Sequence, residues 1–324
     1  MAVHRIGVLT SGGDTPGMNA AVRAVVRRSL SFGDVVLGVY HGYEGLMNGS
    51  VKQLQSADVH GVIQRGGTIL RTARSETFKT PEGQEKAIRL MEAYEMDSLV
   101  VIGGDGSFRG AEALAKRGVN VMGMPGTIDN DMGYTDFTIG FDTAVNNVIS
   151  ELEKIRDTMR SHDRVAVVEV MGRACGDIAL WSAMTGPTDI VLTPECPRPW
   201  EEAAAHLVQN RLLGRYTSLV VIAEGAGKAE DFAKFVRETT DVDIKPVVLS
   251  YIQRGGAPTA ADRMLATRLG ARAVELIHEG KRNRAVGIRD NKIIDVDICE
   301  ASGHSDNFDE ELYNLHGVLN KIYI

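Results

Sequence analysis

The chain has 324 residues, of which 44% are hydrophobic and 24% charged, and its formal net charge is −7. This length and composition are typical of a globular protein with two domains of ordinary size, and they exclude a fibrous or disordered chain. The acidic balance argues against a broadly basic surface. We therefore expect neither nucleic acid nor an anionic membrane as a partner.

Cysteine usage and hydropathy indicate the compartment. Three widely spaced cysteines fit neither a disulfide framework nor paired zinc ligands. The opening residues MAVHRIGVLTSGGD lack an apolar signal region, and no stretch approaches the roughly 18 apolar residues that a membrane span requires. We therefore expect a cytoplasmic protein.

Short apolar runs rich in valine and isoleucine predict buried strands at residues 6–9, 35–40, 99–102, 119–122, 165–170, 190–192, 219–222 and 247–249. Segments of helical period lie between them. The clearest places six apolar side chains on one face, with Asp142 or Thr143 as the N-cap: Val145, Val148, Ile149, Leu152, Ile155 and Met159. Strands that alternate with helices predict an α/β fold with a largely parallel sheet.

Ligands of such sheets bind beyond the carboxyl ends of the strands, where loops lead into helices. The first of these junctions is TSGGD, residues 10–14, followed by a helix expected to start near residues 16–19. Paired glycines there would present backbone N–H groups and the positive helix end to an anion. A tight turn that simply requires glycine explains this motif equally well.

The third junction, GGDGS at residues 103–107, adds a carboxylate. Asp105 would repel a phosphate unless a cation stood between them, and Mg²⁺ binds through one or two carboxylates together with phosphate oxygens. Gly104, Gly106 and Ser107 would then hold phosphates through backbone and hydroxyl groups. In the alternative interpretation, Asp105 only caps a helix that opens at Ser107.

The fourth junction, PGTIDND at residues 125–131, is rich in turn-forming residues. If phosphates bind at the neighbouring strand end, phosphoryl transfer requires a carboxylate that accepts the acceptor hydroxyl's proton. Asp129 is the candidate base and Asp131 the second choice. Arginines near the junctions could offset phosphate charge, although each alone could be a solvated surface residue: Arg71, Arg74, Arg164, Arg173 and Arg254.

Several familiar sites are excluded. The segment GAGKAE is not a Walker loop, because no serine or threonine follows Lys228. The dinucleotide fingerprint fails at Arg109, and protein-kinase signatures are absent. No metal-ligand spacing is present among the histidines, which are His4, His41, His60, His162, His206, His278, His304 and His316.

Six segments in order, TSGGDTPGMNAAVRAVVR, GGDGS, PGTIDND, IGFDTA, VVEVMGRACGD and IQRGG, resemble the bacterial ATP-dependent 6-phosphofructokinases. The resemblance runs from about residue 5 to at least residue 287. It implies two doubly wound sandwich domains with mostly parallel sheets. Residues 1–138 plus 251–303 would form the larger, nucleotide-binding domain, and residues 139–250 plus 304–324 the smaller, sugar-phosphate-binding domain.

The resemblance also implies the reaction, in which the γ-phosphoryl of ATP passes to the 1-hydroxyl of fructose 6-phosphate in glycolysis. The MgATP residues would be Gly12, Arg74, Ser75, Gly104, Asp105, Gly106 and Ser107, with Asp105 on the metal. The catalytic residues would be Thr127 and Asp129, which face the sugar 1-hydroxyl with Asp129 as the general base, and Arg173, which stabilises the transferring phosphoryl. Sugar-phosphate contacts would come from Thr127, Ile128, Asp129, Met171, Gly172, Arg173, Glu224, Tyr251 and Arg254, and from Arg164 and Lys245 of a neighbouring subunit in a homotetramer.

Departures from the family pattern carry their own expectations. Pyrophosphate-using relatives tend to carry aspartate at the place of Gly106 and lysine at that of Gly126, so glycine at both favours ATP by leaving room for the nucleotide. Lys245 and Tyr251 stand where arginine and histidine are usual, which predicts weaker binding of fructose 6-phosphate. Lys79 replaces an arginine that flanks the nucleotide.

The family's effector site takes ADP or phosphoenolpyruvate between subunits. Residues that match in kind are Arg23, Arg27, Arg156, Asp189 and Arg215. Ser56 stands where an arginine is usual, and Leu213 and Tyr216 occupy positions that are commonly basic. Because each lost cation weakens anion binding, we expect weak allosteric regulation.

Three alternatives remain open from the sequence alone. One is a pyrophosphate-dependent phosphofructokinase, and another is an NAD or lipid kinase that shares the GGDG element. The third is a non-catalytic sugar-phosphate sensor on the same fold. Such a sensor would have lost Asp105, Asp129 or Arg173, and all three are present.

Overall fold

The computed structural model describes residues 3–302 and 308–321. These residues form two compact units, the larger made of residues 3–143 and 254–302, the smaller of residues 144–253 and 308–321. His304 and the parts of the predicted domains at residues 1–2, 303–307 and 322–324 lie outside the described residues.

The strands, numbered along the chain, are β1 (Arg5–Thr10), β2 (Val35–Val39), β3 (Val51–Leu54), β4 (Ser98–Gly103), β5 (Asn120–Pro125), β6 (Val165–Val170), β7 (Ile190–Leu192), β8 (Ser218–Ala223), β9 (Ile244–Val248), β10 (Arg284–Arg289) and β11 (Lys292–Asp297). The helices are α1 (Met18–Phe32), α2 (Gly42–Asn48), α3 (Pro81–Ala93), α4 (Asp105–Ala115), α5 (Phe141–Ser161), α6 (Asp177–Thr185), α7 (Trp200–Leu212), α8 (Ala229–Thr239), α9 (Ala260–His278), α10 (Ile298–Ala301) and α11 (Glu310–Leu319). Short 3₁₀ turns span Thr77–Lys79 and Ser250–Arg254. Among the described helices, none combines the length and apolarity needed to cross a membrane.

The larger unit is built on a seven-stranded sheet in the order β11-β10-β5-β4-β1-β2-β3. The five inner strands are parallel, and β3 and β11 are antiparallel edges. Alternate side chains of β4 face opposite cores: Val100 and Ile102 pack with α1 and α9, and Leu99 and Val101 with α2, α3, α4 and α10. The predicted α/β class is therefore confirmed.

The smaller unit has a four-stranded parallel sheet in the order β7-β8-β6-β9, with α7 and α8 covering one face. Every residue of β6 is buried, as its apolar run predicts. β9 begins at Ile244, earlier than the predicted 247–249. The reason is that Lys245 and Pro246 interrupt its apolar pattern, which an edge strand tolerates.

The expected N-cap of α5 is wrong, because the helix starts at Phe141 and takes Asp142 and Thr143 into its first turn. A remote side chain caps it instead. The carboxylate of Asp262 in α9 accepts hydrogen bonds from the Gly140 N–H at 2.7 Å and the Thr143 N–H at 2.8 Å. Burial raises the pKa of Asp262 to about 6, although these hydrogen bonds act in the opposite direction.

Candidate active site

The strand register places three of the sequence-predicted loops side by side. β1 pairs with β4 so that Thr10 lies opposite Ile102, and β4 pairs with β5 so that Gly103 lies opposite Pro125. From β1 the chain proceeds to β2 on one side and later returns to β4 on the other. The loops after β1, β4 and β5 therefore meet at a topological switch point, where ligands of parallel sheets bind.

The first and third junctions approach each other through glycine. Gly12 has φ +85°, and a Cβ added there would lie 3.3 Å from Ser107 Oγ. Both the left-handed backbone and the close approach favour glycine at this position. The Gly12 carbonyl also accepts a hydrogen bond from Thr72 Oγ1 at 2.7 Å. The loop conformation is thus set before any ligand binds.

Asp105 is the first residue of α4, whose N-cap is Gly104. The alternative in which Asp105 caps a helix opening at Ser107 is therefore wrong. Its carboxylate is only 5% exposed and forms an ion pair with Arg109, one helical turn further on. A buried carboxylate at the start of a helix, between two glycines, suits a cation that arrives together with phosphates.

Gly106 and Gly126 differ in what surrounds them. A Cβ at Gly106 would have no neighbour within 4 Å, as expected if this flank leaves room for a nucleotide. A Cβ at Gly126 would lie 3.2 Å from Ile102 Cγ2 and 3.3 Å from the Gly103 nitrogen. The expected room exists at Gly106, whereas the expectation for Gly126 is wrong because packing already fills its side-chain direction.

The PGTIDND loop folds around two threonines. Thr127 Oγ1 accepts a hydrogen bond from the Asp129 N–H at 3.1 Å, and the Thr127 carbonyl accepts one from Thr138 Oγ1 at 2.7 Å. A Cβ at Gly104 would lie 3.2 Å from Thr127 Cβ, so the third and fourth junctions also meet. Ile128 is fully buried and Asp129 is 3% exposed. The candidate base is therefore held next to the glycine loop.

Arg74 and Ser75 lie in the segment before the first 3₁₀ turn. Ser75 Oγ donates to Glu44 Oε2 at 2.6 Å and accepts from the Phe78 N–H at 3.2 Å. The hydrogen bond from Ser75 holds the pKa of Glu44 below its usual value. Arg74 is exposed, and exposed Lys79 is paired with Glu76 at 2.7 Å. Nucleotide binding by Arg74 and Ser75 stays a prediction.

Arg254 lies in the larger unit, against the first glycine loop. Its guanidinium Nη1 donates to the Asp14 carbonyl at 3.2 Å, and a Cβ at Gly13 would lie 2.7 Å from the same nitrogen. A glycine at position 13 is therefore needed for this contact. The structure brings Arg254 to the TSGGD loop, a placement that the sequence did not indicate.

Four of the predicted sugar-phosphate residues cluster in the smaller unit, at the carboxyl ends of β6 and β8. Glu224 Oε1 accepts from the Arg173 N–H at 2.8 Å, and the Glu224 N–H donates to the Val170 carbonyl at 2.9 Å. Gly172 and Arg173 have φ angles of +139° and +57°. The Met171 N–H donates to Gln253 Oε1 at 3.0 Å. Side chains thus hold both ends of the turn 171–173.

Arg164 and Lys245 lie at the opposite ends of the strands, where β6 and β9 begin. Arg164 Nε lies 3.0 Å from one carboxylate oxygen of Asp243, and Lys245 Nζ lies 2.7 Å from the other. The hydrogen bond from Lys245 is the main reason that the pKa of Asp243 lies below its usual value. Lys245 pairs with Ala166, whereas Met171 follows the end of β6. Met171 is five positions beyond Ala166 along the chain, which corresponds to roughly 16 Å at about 3.3 Å per residue of extended strand. Within one chain, these two cations do not join the cluster.

The sequence-predicted effector residues are only partly brought together. Arg156, Asp189 and Arg215 line a cavity of about 880 Å³ in the smaller unit, together with Tyr216. Asp189 accepts from Arg156 Nη1 at 3.1 Å. Arg160 also lines the cavity, as do the carboxylates of Glu153, Asp157 and Asp163. Arg23 and Arg27 are on α1 of the larger unit, and Ser56 and Leu213 are exposed.

The donor set bears on the expected metal. Within residues 3–302 and 308–321, no group of three or more histidine, cysteine, aspartate or glutamate side chains could hold a metal ion. Asp105 supplies a single buried carboxylate. One carboxylate together with phosphate oxygens is a common arrangement for magnesium, which dehydrates reluctantly. The residues present therefore fit an ion carried by a nucleotide, and Arg109 competes for the same carboxylate.

Sequence reasoning missed two positioning side chains. Gln253 is fully buried and its side chain accepts from the Met171 N–H, and the Thr138 hydroxyl donates to the Thr127 carbonyl and to Asn130 Oδ1. Gln253 stands inside the IQRGG motif, so its motif was visible but its role was not. Thr138 stands just before the IGFDTA motif, and its partners lie in the PGTIDND loop about ten residues earlier.

Glycine loops that meet at the switch point of a parallel sheet, with a buried carboxylate in two of them, are typical of α/β enzymes that transfer phosphoryl groups. The comparisons with known proteins agree with this class. The phosphofructokinase family model matches residues 5–277. The chain belongs to the phosphofructokinase family, as its motifs predicted.

Curated relatives match nearly the whole chain. The ATP-dependent 6-phosphofructokinase of Clostridium botulinum (strain Hall) is 51% identical over 319 residues, which covers 98% of this chain and 100% of the relative. That of Clostridium tetani is 52% identical over 317 residues, which covers 98% and 99%. The match therefore leaves no large part of either relative without a counterpart.

Solved structures agree on the fold. Phosphofructokinase from Saccharomyces cerevisiae matches with a TM-score of 0.86 and 37% identity, covering 92% of this chain and 45% of that chain. Pichia pastoris phosphofructokinase in the T-state matches with 0.88 and 36%, covering 93% and 36%. The chain thus spans less than half of each yeast chain. A pyrophosphate-dependent phosphofructokinase from Marinobacter aquaeolei, at 22% identity, a TM-score of 0.85 and coverage of 95% and 86%, shows the fold alone.

Proposed function

We infer that this protein is an ATP-dependent 6-phosphofructokinase, which transfers the γ-phosphoryl of ATP to the 1-hydroxyl of fructose 6-phosphate in glycolysis. The observation that carries the inference is the close approach of Gly104 to Thr127, two residues before buried Asp129, at the switch point of the larger unit. Relatives 51% identical over nearly the full chain, named for this activity, support it.

The larger unit would hold the nucleotide. Phosphates would lie against the backbone and hydroxyl groups of the two glycine loops and the 74–75 segment, through Gly12, Arg74, Ser75, Gly104, Gly106 and Ser107. Asp105 would hold magnesium, which supplies positive charge against the β- and γ-phosphate oxygens. Arg109 must leave Asp105 for this to occur. Because 61% of the surface of the Arg109 side chain is accessible, packing does not prevent this movement.

Asp129 would act as the general base. It accepts the proton of the sugar 1-hydroxyl while that oxygen bonds to the γ-phosphorus and the bond from phosphorus to the β-phosphate oxygen breaks, releasing ADP. Thr127 orders the backbone of Asp129 through its hydroxyl. The Arg173 guanidinium would offset the charge of the transferring phosphoryl.

The smaller unit would hold fructose 6-phosphate at the cluster of Met171, Gly172, Arg173 and Glu224, with Ile128, Tyr251 and Arg254 contributing. Arg164 and Lys245 would serve a neighbouring subunit of a homotetramer. Their position at the amino ends of β6 and β9 supports a site shared between subunits, because they cannot reach the cluster of their own chain. We further propose that the enzyme works in the cytoplasm.

The assignment of ATP as donor rests on Gly106, whose side-chain direction is open. The test is formation of fructose 1,6-bisphosphate from fructose 6-phosphate and magnesium, with ATP in one arm and pyrophosphate in the other. We expect product with ATP alone. Product with pyrophosphate alone would reverse the donor assignment, and product in neither arm would favour a sugar-phosphate sensor.

Regulation by ADP or phosphoenolpyruvate is proposed to be weak. Four carboxylates face three arginines around the cavity of the smaller unit, and Arg156 is already paired with Asp189. An anionic effector therefore meets no net positive charge there. We expect millimolar phosphoenolpyruvate to leave the fructose 6-phosphate saturation curve in place, and a clear rightward shift would contradict the proposal.

A further inference from the structure

Gln253 is a fully buried polar side chain in the smaller unit, and the proposed phosphoryl transfer does not use it. Its Oε1 accepts a hydrogen bond from the Met171 N–H at 3.0 Å, and its Nε2 donates to the Ser250 carbonyl at 3.0 Å. The two ends of one amide thus join the start of the 171–173 turn to the 3₁₀ turn Ser250–Arg254. A buried amide that is satisfied at both ends holds its partners firmly.

The turn that Gln253 holds has a demanding conformation. Gly172 and Arg173 both have positive φ angles, +139° and +57°, and a non-glycine residue adopts such an angle only when its surroundings impose it. Two side chains hold the turn at its ends: Gln253 binds the Met171 N–H, and Glu224 binds the Arg173 N–H at 2.8 Å. Loss of the Gln253 anchor would free the turn to relax.

The residue after Gln253 belongs to the other unit. Arg254 lies in the larger unit, where its guanidinium donates to the Asp14 carbonyl at 3.2 Å. Two consecutive residues therefore contact the backbones of two different loops. Gln253 contacts the proposed sugar-phosphate loop, and Arg254 contacts the first glycine loop. The peptide bond between them is a covalent connection between the two contacts.

We propose that Gln253 is a positioning residue of the sugar-phosphate site, which fixes the 171–173 turn and, through its bond to Arg254, couples occupancy of that site to occupancy of the nucleotide loop. This proposal rests on the proposed function. It assigns Gln253 no contact with the substrate. Its role is to hold backbone groups that the substrate meets.

The first test compares Gln253→Met with Gln253→Glu. Methionine is of similar length but offers neither hydrogen bond, so the Met171 N–H and the Ser250 carbonyl lose their partner. We expect the KM for fructose 6-phosphate to rise roughly tenfold, with kcat within about threefold of the wild type. Gln209→Met is the matched control, because Gln209 is exposed on α7 of the same unit.

Gln253→Glu gives a readout that a merely structural role would not move. A neutral carboxyl accepts from the Met171 N–H and donates to the Ser250 carbonyl, as the amide does, whereas the carboxylate repels that carbonyl. Burial raises the pKa of such a carboxyl. The KM ratio of Gln253→Glu to wild type should therefore fall toward one as the pH is lowered from about 8 to about 6. Gln209→Glu should show no such trend.

Coupling is measured at equilibrium, by titrating a fluorescent ATP analogue with and without fructose 6-phosphate. In the wild type, the sugar phosphate should change the dissociation constant of the analogue. In Gln253→Met, that dissociation constant should be nearly the same with and without the sugar phosphate. An unchanged coupling in Gln253→Met, or a KM for fructose 6-phosphate equal to that of the wild type in both variants, would overturn the proposal. If Gln253→Met does not fold, the pH trend of Gln253→Glu decides.

Failure of the proposed function would look different. A wild-type protein that makes no fructose 1,6-bisphosphate would refute the enzyme assignment before any variant is compared. An active wild type with kinetically unchanged, folded Gln253 variants would refute only the positioning role.

Discussion

The two units of this chain prepare their loops by different means. In the larger unit, the proposed nucleotide and base loops are held by neutral hydrogen bonds and close packing, as at Thr72 on the Gly12 carbonyl and Thr138 on the Thr127 carbonyl. In the smaller unit, many of the cations expected to meet phosphates are already paired with carboxylates, as Arg164 and Lys245 are with Asp243. Hydrogen bonds also hold the 171–173 turn of the smaller unit, so this unit combines a hydrogen-bonded backbone with predicted phosphate-binding cations that balance carboxylates.

The departures from the family pattern that the sequence analysis identifies occur in both units, with Ser56 and Lys79 in the larger unit and Lys245 and Tyr251 in the smaller. The glycine loops and Asp129 show no such departure. A hydrogen-bonded loop loses its shape when one group changes, whereas a balanced set of charges tolerates exchange of its members. Substitutions in the two units test this contrast.

The largest effect is expected in the larger unit, at Asp129. Asp129→Asn keeps the shape of the side chain and removes the proton acceptor, so kcat should fall about 10³-fold with a smaller change in the KM for fructose 6-phosphate. Steady-state assays of product formation measure both. Asp131→Asn is the matched control, since Asp131 lies two residues further along the same loop. A larger loss in Asp131→Asn would move the base to that residue.

The next effect concerns the stability of the larger unit and comes from Asp262. Its folded-state pKa of about 6 lies above the ordinary value of 3.8, so the folded state binds the proton more tightly. The contribution of this proton to the free energy of unfolding is fully present below about pH 4 and is lost as the pH rises to about 6. The free energy of unfolding of the wild type, relative to Asp262→Asn, should therefore fall by roughly 2–3 kcal/mol over that range.

Denaturant titrations of both proteins at several pH values measure this difference. The opposite result would be a free energy of unfolding that increases with pH in the wild type relative to Asp262→Asn. In that case the hydrogen bonds from Gly140 and Thr143 outweigh burial, and the predicted sign of the pH dependence is wrong.

The third effect distinguishes the two glycines near the nucleotide loop. Gly106→Asp should raise the KM for MgATP about tenfold to a hundredfold, because a carboxylate there would repel the phosphates. Gly106→Ala, in open space, should bind ATP nearly as the wild type does. Gly126→Ala should instead lower the melting temperature, since its Cβ would crowd Ile102. Equal effects of both alanine variants on ATP binding would contradict the distinction.

The smallest effects are expected in the smaller unit and at its end. Lys245→Arg and Tyr251→His restore the residues usual in the family, and each should lower the KM for fructose 6-phosphate about three- to tenfold, since arginine and protonated histidine bind phosphate more strongly. Initial rates over a range of fructose 6-phosphate concentrations measure this. Asp243→Asn is the companion variant, because it removes the carboxylate charge beside both Arg164 and Lys245 without changing either cation. An increase in KM for Lys245→Arg would show that Lys245 does not meet the phosphate.

Much of the fold could be predicted from local pattern. The eight predicted strands are all present, because fully buried parallel strands give continuous apolar runs. β3 was missed because its Lys52 and Gln53 are exposed and break the run. The β10–β11 hairpin was also missed, although its two turn residues, Asp290 and Asn291, carried a usable signal. Both have positive φ angles, 50° and 59°, as a type I′ turn requires.

The candidate site was predictable where a motif carries its own chemistry, and not where a distant partner decides. Asp105 and Asp129 were identified from their loops, and the structure places those two loops in contact through Gly104 and Thr127. The cap that Asp262 gives to α5 and the anchor that Gln253 gives to Met171 join segments 119 and 82 residues apart. No spacing in the sequence specifies such pairs, and only the fold shows them.

The open flank of Gly106 has an evolutionary consequence. Because a Cβ there would have no neighbour within 4 Å, the backbone can accept the first atom of a side chain without rearrangement, and one nucleotide change in two of the four glycine codons supplies aspartate. At Gly126 the surrounding atoms must move first. In a lineage that exchanges its phosphoryl donor, we therefore expect a substitution at position 106 to require fewer compensating changes than one at position 126.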